Sequence, residues 1–285
     1  MHIGEDYISR KTFVLIVGGL ILLLVVLLAG LTITQYMSPE NARVAHALKT
    51  DIASIIFGLG SAAVLLSVAR HFAPGNPLRR IWLLLGIGVG VYALGDVVWT
   101  VLEVGSGFGE VPYPSLADVL YLSMYVFFAI GLFRTAAAFG RVVSVRMPLV
   151  VAVLLSALAI IIVWAFVVAP TIADPATSLP QKVLGGAYPI GDIVFLLFPA
   201  VFILLAAPAV GGFQAARQWW VLAFGLALMS VTDITFAWLD WTGRYFSGHV
   251  VDFGWMLSLL LIAIAGSLAA DTADIQQKRV GGERL

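Results

Sequence analysis

The sequence predicts an all-α polytopic membrane protein with eight transmembrane helices, and three observations lead to that class. Hydrophobic residues make up 61% of the 285 residues and charged residues only 11%, whereas a soluble domain carries about 25% charged residues. The mean hydropathy is +1.03. Eight stretches are apolar over the roughly 20 residues that a helix needs to cross the hydrocarbon core. We therefore expect the whole chain to be a membrane domain.

The predicted spans follow one another with short connections. They cover residues 13–36, 51–70, 81–103, 117–137, 148–169, 187–207, 218–241 and 250–270. The first is predicted to be a retained helix, because it is too long for a signal peptide and no small-residue cleavage site follows it. The longest outer connection is predicted to be Pro170–Ala187, which could cover a cavity.

Lys and Arg predict the orientation, because they collect on the cytoplasmic side of a membrane. One set of segments holds twelve of the 16 basic residues: Arg10, Lys11, Arg70, Arg79, Arg80, Arg134, Arg141, Arg146, Arg217, Lys278, Arg279 and Arg284. The alternate set holds Arg43, Lys49, Lys182 and Arg244. We therefore expect a multi-pass protein of the cytoplasmic membrane, with cytoplasmic tails at 1–12 and 271–285.

Acidic residues recur at similar places in the two halves, which predicts a tandem repeat of four helices, at 13–140 and 141–270. The matched pairs are Asp51 with Asp192, Asp96 with Asp233, Glu103 with Asp240, Asp118 with Asp252, and Tyr121 with Trp255. Since four is an even number, both copies would share one orientation. The repeat would place two similar sites side by side.

Most of these acids are predicted to lie at the outer ends of helices, where an Asp can accept backbone N–H bonds. Asp51, Asp118, Asp192 and Asp252 are expected to begin a helix, and Ser115 with Asp118 has the form of a capping box. Asp96 and Asp233 are expected to lie deeper, without a Lys or Arg in any span to neutralise them. Such residues are either functional or helix-joining.

Aromatic residues accompany the acids, which predicts an interfacial belt or a cavity for an apolar, cationic or amphipathic ligand. The candidate ligand-binding residues are Asp96, Trp99, Glu103, Ser115, Asp118, Tyr121, Tyr188, Asp192, Asp233, Asp240, Asp252 and Trp255. No catalytic or metal-binding motif is present, the four histidines do not pair across spans, and there is no cysteine. The pattern identifies no cofactor, and the net charge of +0 argues against a nucleic-acid partner.

Four strings resemble one bacterial family: GDVVW at 95–99, PYPSLADVLYLSMY at 112–125, AYPIGDIVFLL at 187–197 and VVDFGWMLSLLLIAIAG at 250–266. They are similar to the membrane-embedded sensor region that precedes GGDEF diguanylate cyclase and EAL phosphodiesterase domains. The resemblance implies an input module that delivers its C-terminus to the cytoplasm. Its recurring residues would be Asp96, Trp99, Pro114, Ser115, Asp118, Tyr121, Asp192, Asp252 and Trp255.

Only the short segment Asp271–Leu285 follows the eighth predicted span, and the sequence contains no GGDEF or EAL domain. We therefore expect a non-enzymatic sensory or ligand-binding module that contacts lipid, binds a small ligand at its outer face and signals to a cytoplasmic protein. It would be a stand-alone relative or the membrane part of a longer protein. The alternatives are a proton- or cation-coupled transporter, a structural subunit of a membrane complex, and an intramembrane lipid enzyme using Asp96 and Asp233.

Overall fold

The computed structural model describes residues 9–109 and 111–282, and within them the fold is all-α, as predicted. Eight helices in the described part are long and apolar enough to cross a membrane. They are α1 Arg10–Tyr36, α2 Asn41–His71, α3 Pro77–Gly105, α4 Leu116–Gly140, α5 Arg146–Ala173, α6 Leu179–Val210, α7 Ala215–Trp241 and α8 Asp252–Gln277. The first eight residues and the tail from Glu283, which includes Arg284, lie outside the described residues.

Two helices begin earlier than their hydropathy predicts, and this corrects the placement of two acids. Helix α2 begins about ten residues before Asp51, and α6 begins about thirteen residues before Asp192. At 1.5 Å per residue, both side chains lie roughly 15–20 Å along their helices. The prediction that Asp51 and Asp192 begin helices was therefore wrong. The preceding segments contain polar residues and glycines, which lower the hydropathy without ending the helix.

The prediction that Pro170–Ala187 forms a long outer loop was also wrong. Helix α5 continues to Ala173 and α6 begins at Leu179, so only a short turn joins them. Ser178 and Gln181 form a capping box at the start of α6, and Pro180 occupies its first turn, where a missing N–H costs nothing. The connection is therefore too short to cover a cavity. At the C-terminus, the last helix continues to Gly282 instead of ending near residue 270.

The bundle is antiparallel and has two ends with different character. We call the end where α2, α4, α6 and α8 begin the acidic end, and the opposite end the basic end. At the acidic end, Arg43 donates a hydrogen bond to the carbonyl of Phe108, which joins the start of α2 to the loop after α3. At the basic end, His71 Nε2 lies 2.9 Å from Asp274 Oδ1, and this contact joins α2 to α8. The acidic end is the one that the basic residues predict to be outside.

Small residues set the distance between the central helices. Gly58 of α2 lies directly against Ala93 of α3, and a Cβ atom at Gly58 would lie 2.7 Å from the Ala93 Cβ. In the basic half, Trp82 stacks on Trp219 with ring centroids 5.8 Å apart, and Phe139 packs edge-on against Trp219. These rings join α3, α4 and α7. By contrast, α1 is peripheral, with most of its apolar side chains facing outward.

Two five-residue segments widen into π-helix, Trp164–Val168 in α5 and Ile193–Leu197 in α6. Each ends two residues before a proline, Pro170 or Pro199. A proline ring clashes with the carbonyl four residues earlier in an α-helix, and a wider turn relieves that clash. Asp192 directly precedes the second segment, so the change of helical phase occurs beside a buried carboxyl group.

Replacing Gly58 with Ala should lower the free energy of unfolding in detergent by about 1–3 kcal/mol, because the new methyl group would press on Ala93. The matched control is Gly60→Ala on the same helix, where no atom lies within 4 Å of the new Cβ. That variant should be neutral or slightly stabilising, since Ala favours helix over Gly. Equal effects of the two changes would contradict the described α2–α3 contact.

A cysteine at Ala176 should react with a membrane-impermeant maleimide in intact cells, and a cysteine at Ala73 should react only after permeabilisation. Both alanines are exposed, and they lie at the acidic and basic ends respectively. The chain has no cysteine of its own, so each label reports one position. The opposite labelling pattern would reverse the predicted orientation.

Candidate functional site

The candidate site consists of carboxyl groups packed inside the acidic half of the bundle. Six of them belong to buried residues, and the seventh, that of Asp233, is partly buried. We call this set the carboxyl network: Asp51, Asp96, Glu103, Asp118, Asp192, Asp233 and Asp252. Burial of so many acids is costly unless each is protonated, hydrogen-bonded or paired with a cation. The partners of each acid therefore define what the site can do.

Asp192 lies at the centre of the network and is fully buried. Tyr125 of α4 donates its hydroxyl proton to Asp192 Oδ1. The Asp233 carboxyl of α7 lies within hydrogen-bonding reach of the Asp192 carboxyl. Trp255 of α8 donates its indole N–H to Asp233 Oδ1 over 2.6 Å. One chain of polar contacts therefore joins α4, α6, α7 and α8.

Asp96 has a similar partner in the first predicted half. Tyr121 donates its hydroxyl proton to Asp96 Oδ1 over 3.0 Å, and Asp96 Oδ2 is buried without a hydrogen-bond partner. The Tyr121 ring lies directly against Gly95, where a Cβ would fall 2.6 Å from a ring carbon. The Tyr121–Asp96 and Trp255–Asp233 bonds join residues that the sequence repeat matches. The repeat itself stays a prediction.

A second carboxyl pair joins α2 and α3. The Asp51 carboxyl group lies within hydrogen-bonding reach of the Glu103 carboxyl group. Asp51 Oδ2 is buried without a hydrogen-bond partner. Glu103 accepts a bond from the Trp99 indole N–H over 3.2 Å and from the Ser247 hydroxyl over 2.7 Å. Glu103 thus ties the end of α3 to the loop before α8.

Asp118 forms the predicted capping box at the start of α4. Its Oδ2 accepts the Ser115 backbone N–H over 2.6 Å, and its Oδ1 accepts the Tyr188 hydroxyl of α6 over 2.9 Å. Burial, with Asp118 and Asp240 nearby, raises the pKa of Tyr113 well above its usual range. Asp118 therefore both caps a helix and joins the two predicted halves.

Asp252 is fully buried at the start of α8 and accepts the Gly248 backbone N–H over 2.7 Å. Tyr245 also contacts its carboxyl group, and burial raises the pKa of Tyr245, which keeps this phenol protonated as a donor. The Lys49 ammonium lies near Asp252 and 5.5 Å from the centre of the Phe253 ring. Lys49 belongs to α2, which begins before the predicted span 51–70, so Asp252 has a cation nearby that the sequence analysis did not anticipate.

The structure does not bring all the candidate residues together. Asp240 is exposed, and its side chain makes no recorded hydrogen bond within the described part of the chain. The list of candidate ligand-binding residues omits Tyr125, Tyr245, Ser247 and Lys49. Tyr125 could have been found, because it lies four residues after Tyr121 and so on the same face of α4.

A shallow apolar pocket, largely open to the surroundings, lies between the end of α5 and the start of α6. Its volume is about 460 Å³, and Trp164, Ile172, Lys182 and Ile190 are among its lining residues. None of the candidate ligand-binding residues lines it. In the described residues, no group of three or more His, Asp or Glu side chains could hold a metal ion. The acids are packed against tyrosine and tryptophan side chains.

Replacing Trp255 with Phe should lower the free energy of unfolding by about 1–3 kcal/mol, because Asp233 Oδ1 would lose its indole donor while staying largely enclosed. The matched control is Trp241→Phe, at an exposed indole near the same end. Thermal unfolding of both variants in one detergent provides the measurement. If Trp255→Phe is as harmless as the control, the Trp255–Asp233 bond does not stabilise the bundle.

Comparison with known proteins identifies no relative for this chain. No protein-family model matches it, and neither a curated protein nor a solved structure does. The function proposed below is therefore inferred from the geometry of the carboxyl network.

Proposed function

We propose that the chain is a membrane-embedded sensory module that binds a ligand in the carboxyl network and signals to a cytoplasmic partner. The observation that carries this proposal is the contact chain through Asp192. It connects α4 with α6, α7 and α8 through Tyr125, Asp233 and Trp255. A change in the charge or occupancy of one carboxyl group would therefore alter contacts on four helices at once.

Two of these helices continue from the network to the basic end. Near that end, α7 and α8 are joined by a hydrogen bond of 3.1 Å from the Thr272 hydroxyl to the Gln218 side chain. Asp274 of α8 also pairs with His71 of α2. A shift of α7 against α8 at the carboxyl network would reach these contacts, because helices transmit displacement as rigid elements.

The resemblance to bacterial sensor regions supports the same proposal. Each of the four strings that carry it contributes a residue to the network or a direct partner of one: Asp96, Tyr121, Asp192 and Trp255. These residues lie on α3, α4, α6 and α8. The strings are far apart in sequence, yet their polar side chains all make polar contacts in the same half of the bundle.

A coupled transporter is the main competing function. It needs a polar path through the basic half of the bundle. Gln218 of α7 is a buried polar residue in that half. Its side chain accepts the Thr272 hydroxyl bond. Gln218 therefore joins two helices and does not by itself form a path.

The proposal predicts that Asp192→Asn will change hydrogen exchange far from the substitution. In lipid nanodiscs, backbone exchange should change at the basic ends of α7 and α8, around Arg217 and Asp271, as well as near residue 192. Asp240→Asn is the matched control, because it removes an exposed carboxyl group. Hydrogen-exchange mass spectrometry of the full chain measures both regions.

An exchange difference confined to the acidic half would contradict signalling and would favour a structural subunit. Proton or cation flux in proteoliposomes, present in the unmodified chain and lost in Asp192→Asn, would favour the transporter. Native mass spectrometry of the same preparations would identify any small molecule or protein that the network retains.

A further inference from the structure

We propose that the Asp192–Asp233 pair is a proton-binding site that holds one proton between its two carboxyl groups. This inference deepens the proposed function, on which it rests, by naming the ligand of the network. The pair joins α6 and α7 in the acidic half of the bundle, and its two carboxyl groups lie within hydrogen-bonding reach of each other. Two acidic side chains can form a hydrogen bond with each other only when at least one of them carries a proton, because an ionised carboxylate has no hydrogen to donate.

Among the described residues, no basic side chain lies beside the pair to take the place of the proton. The titratable groups recorded near it are the phenols of Tyr92, Tyr125 and Tyr188. The Asp96 carboxyl group lies near Tyr92. No Lys, Arg or His of the described residues is recorded as acting on either acid. Two carboxylates in contact within this setting would repel each other without compensation.

Two fixed donors favour negative charge on the pair. Tyr125 donates to Asp192 Oδ1, and Trp255 donates to Asp233 Oδ1. An indole N–H can only donate, so it stabilises a charged acceptor more than a neutral one. A single shared proton therefore satisfies both requirements: it removes the repulsion, and it leaves one charge for the two donors.

Unpartnered buried atoms provide an independent indication. Asp192 Oδ2 has no donor from any other residue, although Asp192 is fully buried. The Asp192 carboxyl group therefore has an unused position for a hydrogen bond. The Ser230 hydroxyl is also fully buried without a partner, one turn before Asp233 on the same face of α7. Buried polar groups are rarely left without a partner, so apolar packing alone does not account for these two atoms.

The Asp51–Glu103 pair has the same form between α2 and α3. Under the predicted repeat, α2 and α3 correspond to α6 and α7, so each half would contain one carboxyl pair between its second and third helices. Loss of the shared proton at alkaline pH would leave two adjacent carboxylates and would separate the two helices. The module would then respond to proton concentration through the contact between α6 and α7.

Infrared spectroscopy of the full chain in nanodiscs tests the proposal. The spectrum at neutral pH should contain a carbonyl band from a protonated carboxyl group that shifts in heavy water. One component of this band should disappear in Asp192→Asn, and it should also disappear in Asp233→Asn. It should remain in the control Asp240→Asn. Two separate variants keep the test decisive if one of them does not fold.

An unchanged carboxyl band in both variants would overturn the proton-binding site. The result is separable from the outcome for the sensory module, because the infrared band reports protonation whether or not a signal is transmitted. If the band component is lost but hydrogen exchange at the basic end stays unchanged, the proton-binding site stands and the sensory function fails. A change of exchange with no loss of the band would leave the sensory function with another ligand.

Discussion

The contact between the carboxyl groups of the buried Asp192 and the partly buried Asp233 constrains four helices in the acidic half of the protein. A carboxylate pair inside an apolar bundle is stable only if a proton or a cation reduces its charge. The described residues place no basic side chain beside it, so its neighbours must supply oriented donors. Tyr125 and Trp255 do so from α4 and α8. The packing of four helices is thereby tied to the state of one pair.

Glycine and π-helix allow these helices to reach that arrangement. Gly95 lets the Tyr121 ring pack directly against α3, and Gly58 lets α2 approach α3 near Asp96. The π-helical turn after Asp192 changes the phase of α6 just beyond the carboxyl group. The polar contacts therefore depend on backbone features that carry no charge themselves. A substitution at either glycine would disturb the site without removing any of its acids.

The helical class, the number of spans and the capping box at Asp118 were predictable, because they depend on hydropathy and on local spacing. The starts of α2 and α6 were not, since a helix can continue through polar residues such as Lys49 when other helices cover them. The pairing of Asp51 with Glu103 and of Asp192 with Asp233 could not be predicted from the sequence either. Such contacts are set by helix packing, and spacing along the chain does not reveal which acids meet.

The most direct test of the account is a double-mutant cycle on Asp192→Asn and Asp233→Asn, measured as unfolding stability in one detergent at neutral pH. The account predicts strong non-additivity, because either amide already ends the carboxyl–carboxylate contact and the second change has no further contact to remove. Coupling between residues in contact typically amounts to about 0.5–3 kcal/mol. Additive effects of the two substitutions would show that the carboxyl groups act independently and would contradict the shared site.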